Sequence, residues 1–163
     1  MGPLHTYNIA VTWTGAGKTG TSSYTAYSRD NEITAEGKPP LPGSADVAFR
    51  GDPTRYNPEE LLVAALSQCH MLWFLHLAAQ EGVTVTHYLD HAMGTMRVEA
   101  VGAGQFTHVV LRPQITVRQA PDHPIDDQHL AVLHARAGEH CFIKRSVNFP
   151  VRVDPAPLTA EIA

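Results

Sequence analysis

The chain has 163 residues, 44% of them hydrophobic and 17% charged, with a formal net charge of −4 and a pI near 6.2. That length suits a single domain over residues 1–163 with a core of its own. The 12 Lys and Arg residues are scattered in a mildly acidic chain, which argues against a nucleic-acid surface, and no charged, then apolar, leader pattern opens the sequence, so a cytoplasmic protein is expected.

Residues 5–13, HTYNIAVTW, alternate as a strand, and the Gly-rich run 14–20, TGAGKTG, reads as a hairpin turn. Residues 21–28 are β-branched and aromatic and read as the returning strand, with Arg29, Asp30 and Asn31 as the next turn. Gly15, Gly17 and Gly20 match a Gly-x-Gly-x-x-Gly nucleotide pattern, but that pattern needs a helix N-terminus behind it, and a strand is expected there instead. From 37 to 55 the composition shifts to Pro, Gly and Asp, which predicts a long irregular segment. Segments of that kind inside a domain are either functional or disordered; this one carries Arg50 and Arg55 straight into the next element, which favours function.

That element, 57–82, dominates the chain. Asn57 is a good N-cap, Pro58 suits the first helical position, Glu60 can reach back to the amide of the cap, and Gly82 supplies the left-handed stop. The resulting rod of about 36 Å carries Leu61, Leu62, Leu66, Met71, Leu72, Trp73, Phe74 and Leu77 around its whole circumference, so it is expected to be buried. A membrane span is disfavoured by Ser67, Gln68, His70 and His76 and by the lack of closely flanking Lys or Arg.

Residues 83–89 and 93–101, a Gly-rich turn at 102–104 and a long strand over 106–118 form a predicted β-hairpin unit. Residues 120–122 read as loop. Asp126 or Asp127 caps a second helix through His134, with Leu130, Leu133 and Ala137 on its apolar face and an end near Gly138. Cys141 follows, then a last strand over 146–153 closed by Pro155 and Pro157.

Two cysteines make no disulfide scaffold here and leave three readings: inert core thiol, metal ligand or redox pair. Each has a histidine neighbour, His70 and His140, which suggests zinc; adjacent residues on a helix diverge by about 100°, however, so Cys69 and a helical His70 cannot chelate one ion. Cys69 alone reads most simply as a small buried hydrophobe. Its surroundings point further, because Glu59 and Glu60 open the helix, an Arg-bearing loop precedes them, and Cys141 sits just past a helix end where a resolving thiol could move. Cys69 lies too far along the helix for the terminal dipole, so a thiolate there needs a nearby cation, and a loop arginine is the obvious supplier.

Asn57-Pro58-Glu59-Glu60-Leu61, the cysteine ten residues after Glu59, and Cys141-Phe142-Ile143 leading into Ser146-Val147-Asn148-Phe149-Pro150-Val151 together resemble the OsmC/Ohr family of cysteine-dependent peroxidases. The resemblance implies an α+β fold in which two protomers intertwine as a homodimer, a long central helix packed against antiparallel sheets. It also implies reduction of organic hydroperoxides. Cys69 would be the peroxidatic thiolate that becomes a sulfenic acid, and Cys141 the thiol that closes an intramolecular disulfide. Glu59 would orient an arginine that stabilises the thiolate and the leaving oxygen. Family members place that arginine either in the loop before the helix, where Arg50 is the first choice, or in the first hairpin, where Arg29 is the alternative. The His70-Met71-Leu72-Trp73 run departs from the better-studied branches, and substrate preference is the property it bears on. No flavin, haem or nucleotide motif is visible, so no cofactor is expected, and the electrons come from an external dithiol such as a lipoylated protein. The rival from another class is a non-catalytic homodimer whose thiols fill the core and whose pocket holds a small apolar ligand.

Overall fold

The alternation at the N-terminus yields a strand only at its end: β1 spans Ala10–Trp13 and pairs antiparallel with β2 (Asn31–Thr34), which pairs with β3 (Leu41–Gly43). This computed structural model describes residues 2–100, 102–119 and 124–162, and its chain divides into two compact units, residues 1–61 and 62–163. The second strand expected over 21–28 is absent; those residues form turns and bends, and the pairing partner of β1 is β2, which begins at Asn31, the last residue of the expected turn. The physical reason is local. Gly17 and Gly20 adopt φ of 54° and 56°, and a side chain on Gly15 would fall 2.1 Å from the Ser28 carbonyl oxygen, so residues 14–30 fold onto themselves as a loop. The Trp13 indole N–H closes that loop on the Ser28 carbonyl at 2.9 Å.

The segment 37–55 is irregular as expected, broken by β3 and by one 3-10 turn, Val47–Phe49, which Asp46 caps through the Ala48 amide. Ser44 ties the segment down: its hydroxyl donates to Asp30 and accepts from the Asp52 amide, both at 3.1 Å.

Helix α1 (Pro58–Gln80) begins with the expected capping box. The Asn57 side chain accepts from the Glu60 amide at 2.8 Å and Glu60 accepts from the Asn57 amide at 3.1 Å, so two of the orphan donors at the helix start are satisfied. Gly82, at φ 72°, ends it. Its burial corrects the expectation. Within one chain only the stripe Leu66, His70, Phe74, Leu77 and Ala78 is buried, while Leu72 is 56% exposed. The helix has the length and composition of a membrane span, yet its buried stripe is a core stripe.

After the helix come β4 (Thr84–Asp90) and β5 (Met93–Val98). The long strand expected over 106–118 is in fact two: β6 (Gly104–Leu111) pairs with β5, and β7 (Pro113–Gln119) pairs with β4. The break falls at Arg112, whose amide leaves the ladder to donate to Asp90 at 2.6 Å, followed by Pro113, which has no amide proton to give. One ribbon thus feeds two sheets. Helix α2 (Asp127–His140) is capped by Asp126 and runs past Gly138, with Leu130, Leu133, His134, Ala137 and Gly138 buried. The last strand is shorter than expected, β8 (Val151–Val153), after a 3-10 turn at Lys144–Ser146, and an unforeseen β9 (Thr159–Ile162) follows the prolines. Both add in parallel, β8 to β6 and β9 to β7, so the sheets are mixed rather than antiparallel throughout. The loop expected at 120–122 lies outside the described residues.

The two ends of α1 serve different cores. Phe74, Leu77 and Ala78 pack with Ile115 and Val117 of β7 and with Leu130, Leu133 and Ala137 of α2, whereas Leu66 packs with Val109 and Leu111 of β6, flanked by Val63, Phe149 and Val151. Cys69 lies between these two sets on the helix.

Candidate functional site

In the first unit a cleft of about 430 Å³ opens between the 14–30 loop and the start of α1. Trp13, Tyr27 and Phe49 supply aromatic wall, and Arg29, Asp46 and Glu59 are the charged residues that line it. Arg29 is positioned by its own neighbours: its two terminal nitrogens donate to the Tyr27 carbonyl at 2.8 Å and the Tyr24 carbonyl at 2.9 Å, and its guanidinium stands 4.2 Å and 4.4 Å from the rings of Tyr27 and Tyr24. Planar, always charged and held from two sides, it is a preorganised cation with donors to spare, since a guanidinium carries five. Arg50 is set differently. It takes a left-handed φ of 66° to close the 3-10 turn, is exposed, and among the described residues is not part of the cleft lining. The structure therefore brings Arg29 and Glu59 to one cleft and leaves Arg50 outside it.

In the second unit, Cys69 on α1 is half-buried and Cys141, the C-cap of α2, is 1% exposed; both are free thiols. Cys69 is a near neighbour of Cys141, close enough to act on its titration. Burial is the main cause that pushes Cys141 up to about 11, and the neighbouring Cys69 adds to it, so Cys141 is held as the neutral thiol near neutral pH. Its sulfur also accepts the Lys144 amide at 3.4 Å, and its own amide donates to Ala137 at 2.9 Å. The turn that carries it is thus stapled to the end of α2.

Around the thiols stands a set of histidines and aromatics that sequence reading did not foresee. His70 Nε2 and His134 Nδ1 are 3.0 Å apart, with rings nearly parallel at 9°, and Phe74 stacks on His134 with centroids 4.4 Å apart. Burial lowers His70 to about 4 and His134 to about 3, so both are neutral and the bond between them is imidazole to imidazole. Whichever ring donates, one remaining nitrogen carries a proton and the other a lone pair; neither His70 Nδ1 nor His134 Nε2 has a hydrogen-bond partner among the described residues. Further along α1, Trp73 stacks on His140. The sequence signal was present as ten histidines, but nothing in their spacing pairs residues 64 apart. Among the described residues no three His, Cys, Asp or Glu side chains converge in a way that could hold a metal ion.

The arrangement offers two chemical parts: a sulfur pair of unequal access, and an aromatic-walled cleft with a fixed cation and a carboxylate. Comparison with known proteins gives it a family. The model of the OsmC-like protein family matches residues 51–156. An OsmC-like protein of unknown function from Vibrio cholerae is 32% identical in sequence and superposes with a TM-score of 0.82 over 94% of this chain and 100% of its own. An organic hydroperoxide resistance protein from Elizabethkingia anophelis, crystallised with thiocyanate, is 14% identical with a TM-score of 0.66 and full coverage of both chains, 100% and 100%. Another, from Legionella pneumophila, is 18% identical with a TM-score of 0.64, covering 98% of this chain and 99% of its own. These last two are alike in fold. Among curated proteins no sequence relative matches. With the α+β architecture, the capped central helix and the family model spanning most of the chain, the protein belongs to the OsmC-like family.

Proposed function

We propose that the protein is a thiol peroxidase that reduces organic hydroperoxides to alcohols through a Cys69 sulfenic acid and a Cys69–Cys141 disulfide. The observation that carries this reading is the cysteine pair itself: two free cysteines 72 positions apart in sequence and neighbours in the fold, one half-buried and one buried. Their inequality divides the labour. Cys69, half-buried, is the sulfur a peroxide can meet, and its attack on the distal oxygen releases an alkoxide that takes a proton to become the alcohol. Cys141, protonated and shielded, does not compete for the oxidant; it attacks the Cys69 sulfenic acid, the S–S bond forms, the S–O bond breaks and water leaves. An external dithiol, for which a lipoylated protein is the natural class, reduces the disulfide.

The arginine of the family mechanism is assigned to Arg29, because it shares a cleft with Glu59 and Arg50 does not. The aromatic walls of that cleft favour a bulky apolar peroxide over hydrogen peroxide. A homodimer in the cytoplasm is the working form. It would cover the sides of α1 and of the N-terminal strand that one chain leaves open: Ile9, Val11 and Leu72 are 63%, 59% and 56% exposed. A monomer by light scattering at micromolar concentration would remove that part of the proposal.

The decisive experiment is intact-mass analysis after one equivalent of an organic hydroperoxide. The unmutated protein should lose both free thiols and about two hydrogens in mass, reversed by dithiol. Cys141→Ser should turn over once and then accumulate over-oxidised Cys69, and Cys69→Ser should not react. If both thiols survive the treatment, Cys69 is a core residue and the catalytic reading falls.

A further inference from the structure

The His70-Met71-Leu72-Trp73 run follows the first cysteine directly, and its last side chain reaches the residues that flank the second. Trp73, one helical turn beyond Cys69, stacks on His140 with centroids 4.9 Å apart at 25° and meets Phe142 edge-on at 5.5 Å and 84°. Those are the two residues flanking Cys141. The indole thus grips the Cys141 turn by both shoulders, while hydrogen bonds from within hold its shape: Arg145 amide to Cys141 carbonyl at 3.1 Å and Ser146 hydroxyl to Phe142 carbonyl at 2.8 Å. His140 and Phe142 are both exposed, Phe142 to 66%, so solvent-facing aromatic rings are spent here on one contact with α1 and not on the core.

We propose that Trp73 is a positioning residue for disulfide closure, a clasp that keeps the Cys141 turn docked on α1 beside Cys69. The inference rests on the redox-pair reading above and assigns the departure of this run from other branches to the resolving step. Closure converts Cys69–SOH and Cys141–SH into one S–S bond and one water, the hydroperoxide being the oxidant and the alcohol its reduced product. The two sulfurs must approach to about 2.05 Å, and every departure of the turn from α1 lowers the concentration of Cys141 that Cys69 meets. Aromatic contacts of this kind are individually weak, and two together correspond to about tenfold in such a concentration.

The test compares Trp73→Ala, Trp73→Phe and His140→Ala in the full chain. Equilibration of each with mixtures of reduced and oxidised dithiothreitol measures the effective concentration of one thiol for the other without any peroxide. Trp73→Ala should lower it about tenfold and His140→Ala by less, with Trp73→Phe recovering most of the loss. Sulfenic acid formation, trapped with a cyclic dione in a Cys141→Ser background, should stay within about twofold of its parent, because the clasp acts only on the second step. Equal closure in the unmutated chain and Trp73→Ala overturns the proposal, as does slowed sulfenic acid formation with closure unchanged, or failure of the unmutated pair to close at all. If Trp73→Ala does not fold, His140→Ala, altered on the surface alone, decides: no loss there overturns it. A chain that closes in dithiothreitol with the expected Trp73 dependence but ignores hydroperoxides sustains the clasp and refutes the peroxidase.

Discussion

Arg29 and Cys141 both sit on irregular backbone, and they are held there by opposite means. Arg29 is gripped by residues within five positions of itself, two carbonyls and two tyrosine rings of its own loop. Cys141 is held across the chain, by the end of α2 beneath it and by Trp73 of α1, 67 positions before His140. A locally built group can be removed without consequence for the core, whereas one built from distant elements cannot be separated from stability. The first arrangement isolates a charge for chemistry; the second couples a sulfur to the packing of the fold.

The largest expected effect breaks the local side of the comparison. If Arg29 is the arginine of the proposed mechanism, Arg29→Ala should lower kcat/KM for an organic hydroperoxide by about 10²–10³, the usual cost of losing a preorganised charge from a reaction, and move the thermal midpoint by no more than about 2 °C. Arg50→Ala, outside the cleft, should cost far less activity. Arg29→Lys should rescue only in part, because one ammonium cannot span the Tyr24 and Tyr27 carbonyls as the fork does. Equal losses from Arg29→Ala and Arg50→Ala, measured by steady-state kinetics, would return the assignment to the loop before α1.

The same contrast explains what could be read from the sequence. The start of α1 was legible because a capping box is a relation between residues three apart, Asn57 and Glu60, and the stop at Gly82 is a single-residue property. The family likeness was legible in the spacing of Glu59, Cys69 and Cys141. The Arg29 cage was not: residues 21–28 alternate like a strand, yet Tyr24 and Tyr27 point their rings at a guanidinium instead of a pleat, and no local pattern separates those fates. Sequence position favours Arg50, in the loop directly before the helix, over Arg29 in the first hairpin; only the fold of the loop puts Arg29 in the cleft with Glu59. The split of 106–118 into β6 and β7 was hidden for another reason, since it depends on Asp90 drawing the Arg112 amide off the ladder, a bond across 22 residues. The all-round apolar surface of α1 was legible, but how much of it one chain covers was not.

The distant side of the comparison is sharpened by acid. His70 and His134 are lowered to about 4 and about 3 in the folded chain, against an ordinary value near 6.5. Above pH 6.5 both states hold the rings neutral and the pair contributes no pH dependence. Between pH 6.5 and about 4 the unfolded chain binds protons that the folded chain refuses, so stability falls as the pH falls, by about 3 kcal/mol for His70 alone. The two losses do not add, because part of the lowering of His134 comes from His70 itself. Urea unfolding at pH 7 and pH 4.5 should show this drop, and the double variant His70→Leu/His134→Leu should flatten it while leaving the pH 7 stability little changed, since removing both partners of a buried polar pair is far cheaper than removing one. A single His134→Leu should be worse at pH 7 than the double. An unchanged pH profile in the double variant would place the acid sensitivity elsewhere, in carboxylates such as Glu81, which its hydrogen bond with Arg136 holds below the usual range.

The smallest effect tests the one element on which both sides depend. The Asn57 side-chain carbonyl oxygen accepts the Glu60 amide in a part-buried bond, so Asn57→Ala leaves that amide without its cap and should cost about 1 kcal/mol. Glu60 makes the reciprocal bond to the Asn57 amide from an exposed side chain, and water can replace it, so Glu60→Ala should cost a fraction of that. Asn57→Asp should match or exceed the parent, because a carboxylate keeps the acceptor and adds charge complementary to the helix N-terminus. Because the loss is taken in stability at the helix start, none of the three should alter the dithiol-reducible closure of Cys69 and Cys141 at pH 7. Asn57→Ala that lowers the unfolding free energy by about 1 kcal/mol and leaves closure intact makes the cap a stability device. Asn57→Ala that weakens closure as well would mean that fraying at the start of α1 reaches Cys69, and that the capped end and the sulfur pair behave as one mechanical element.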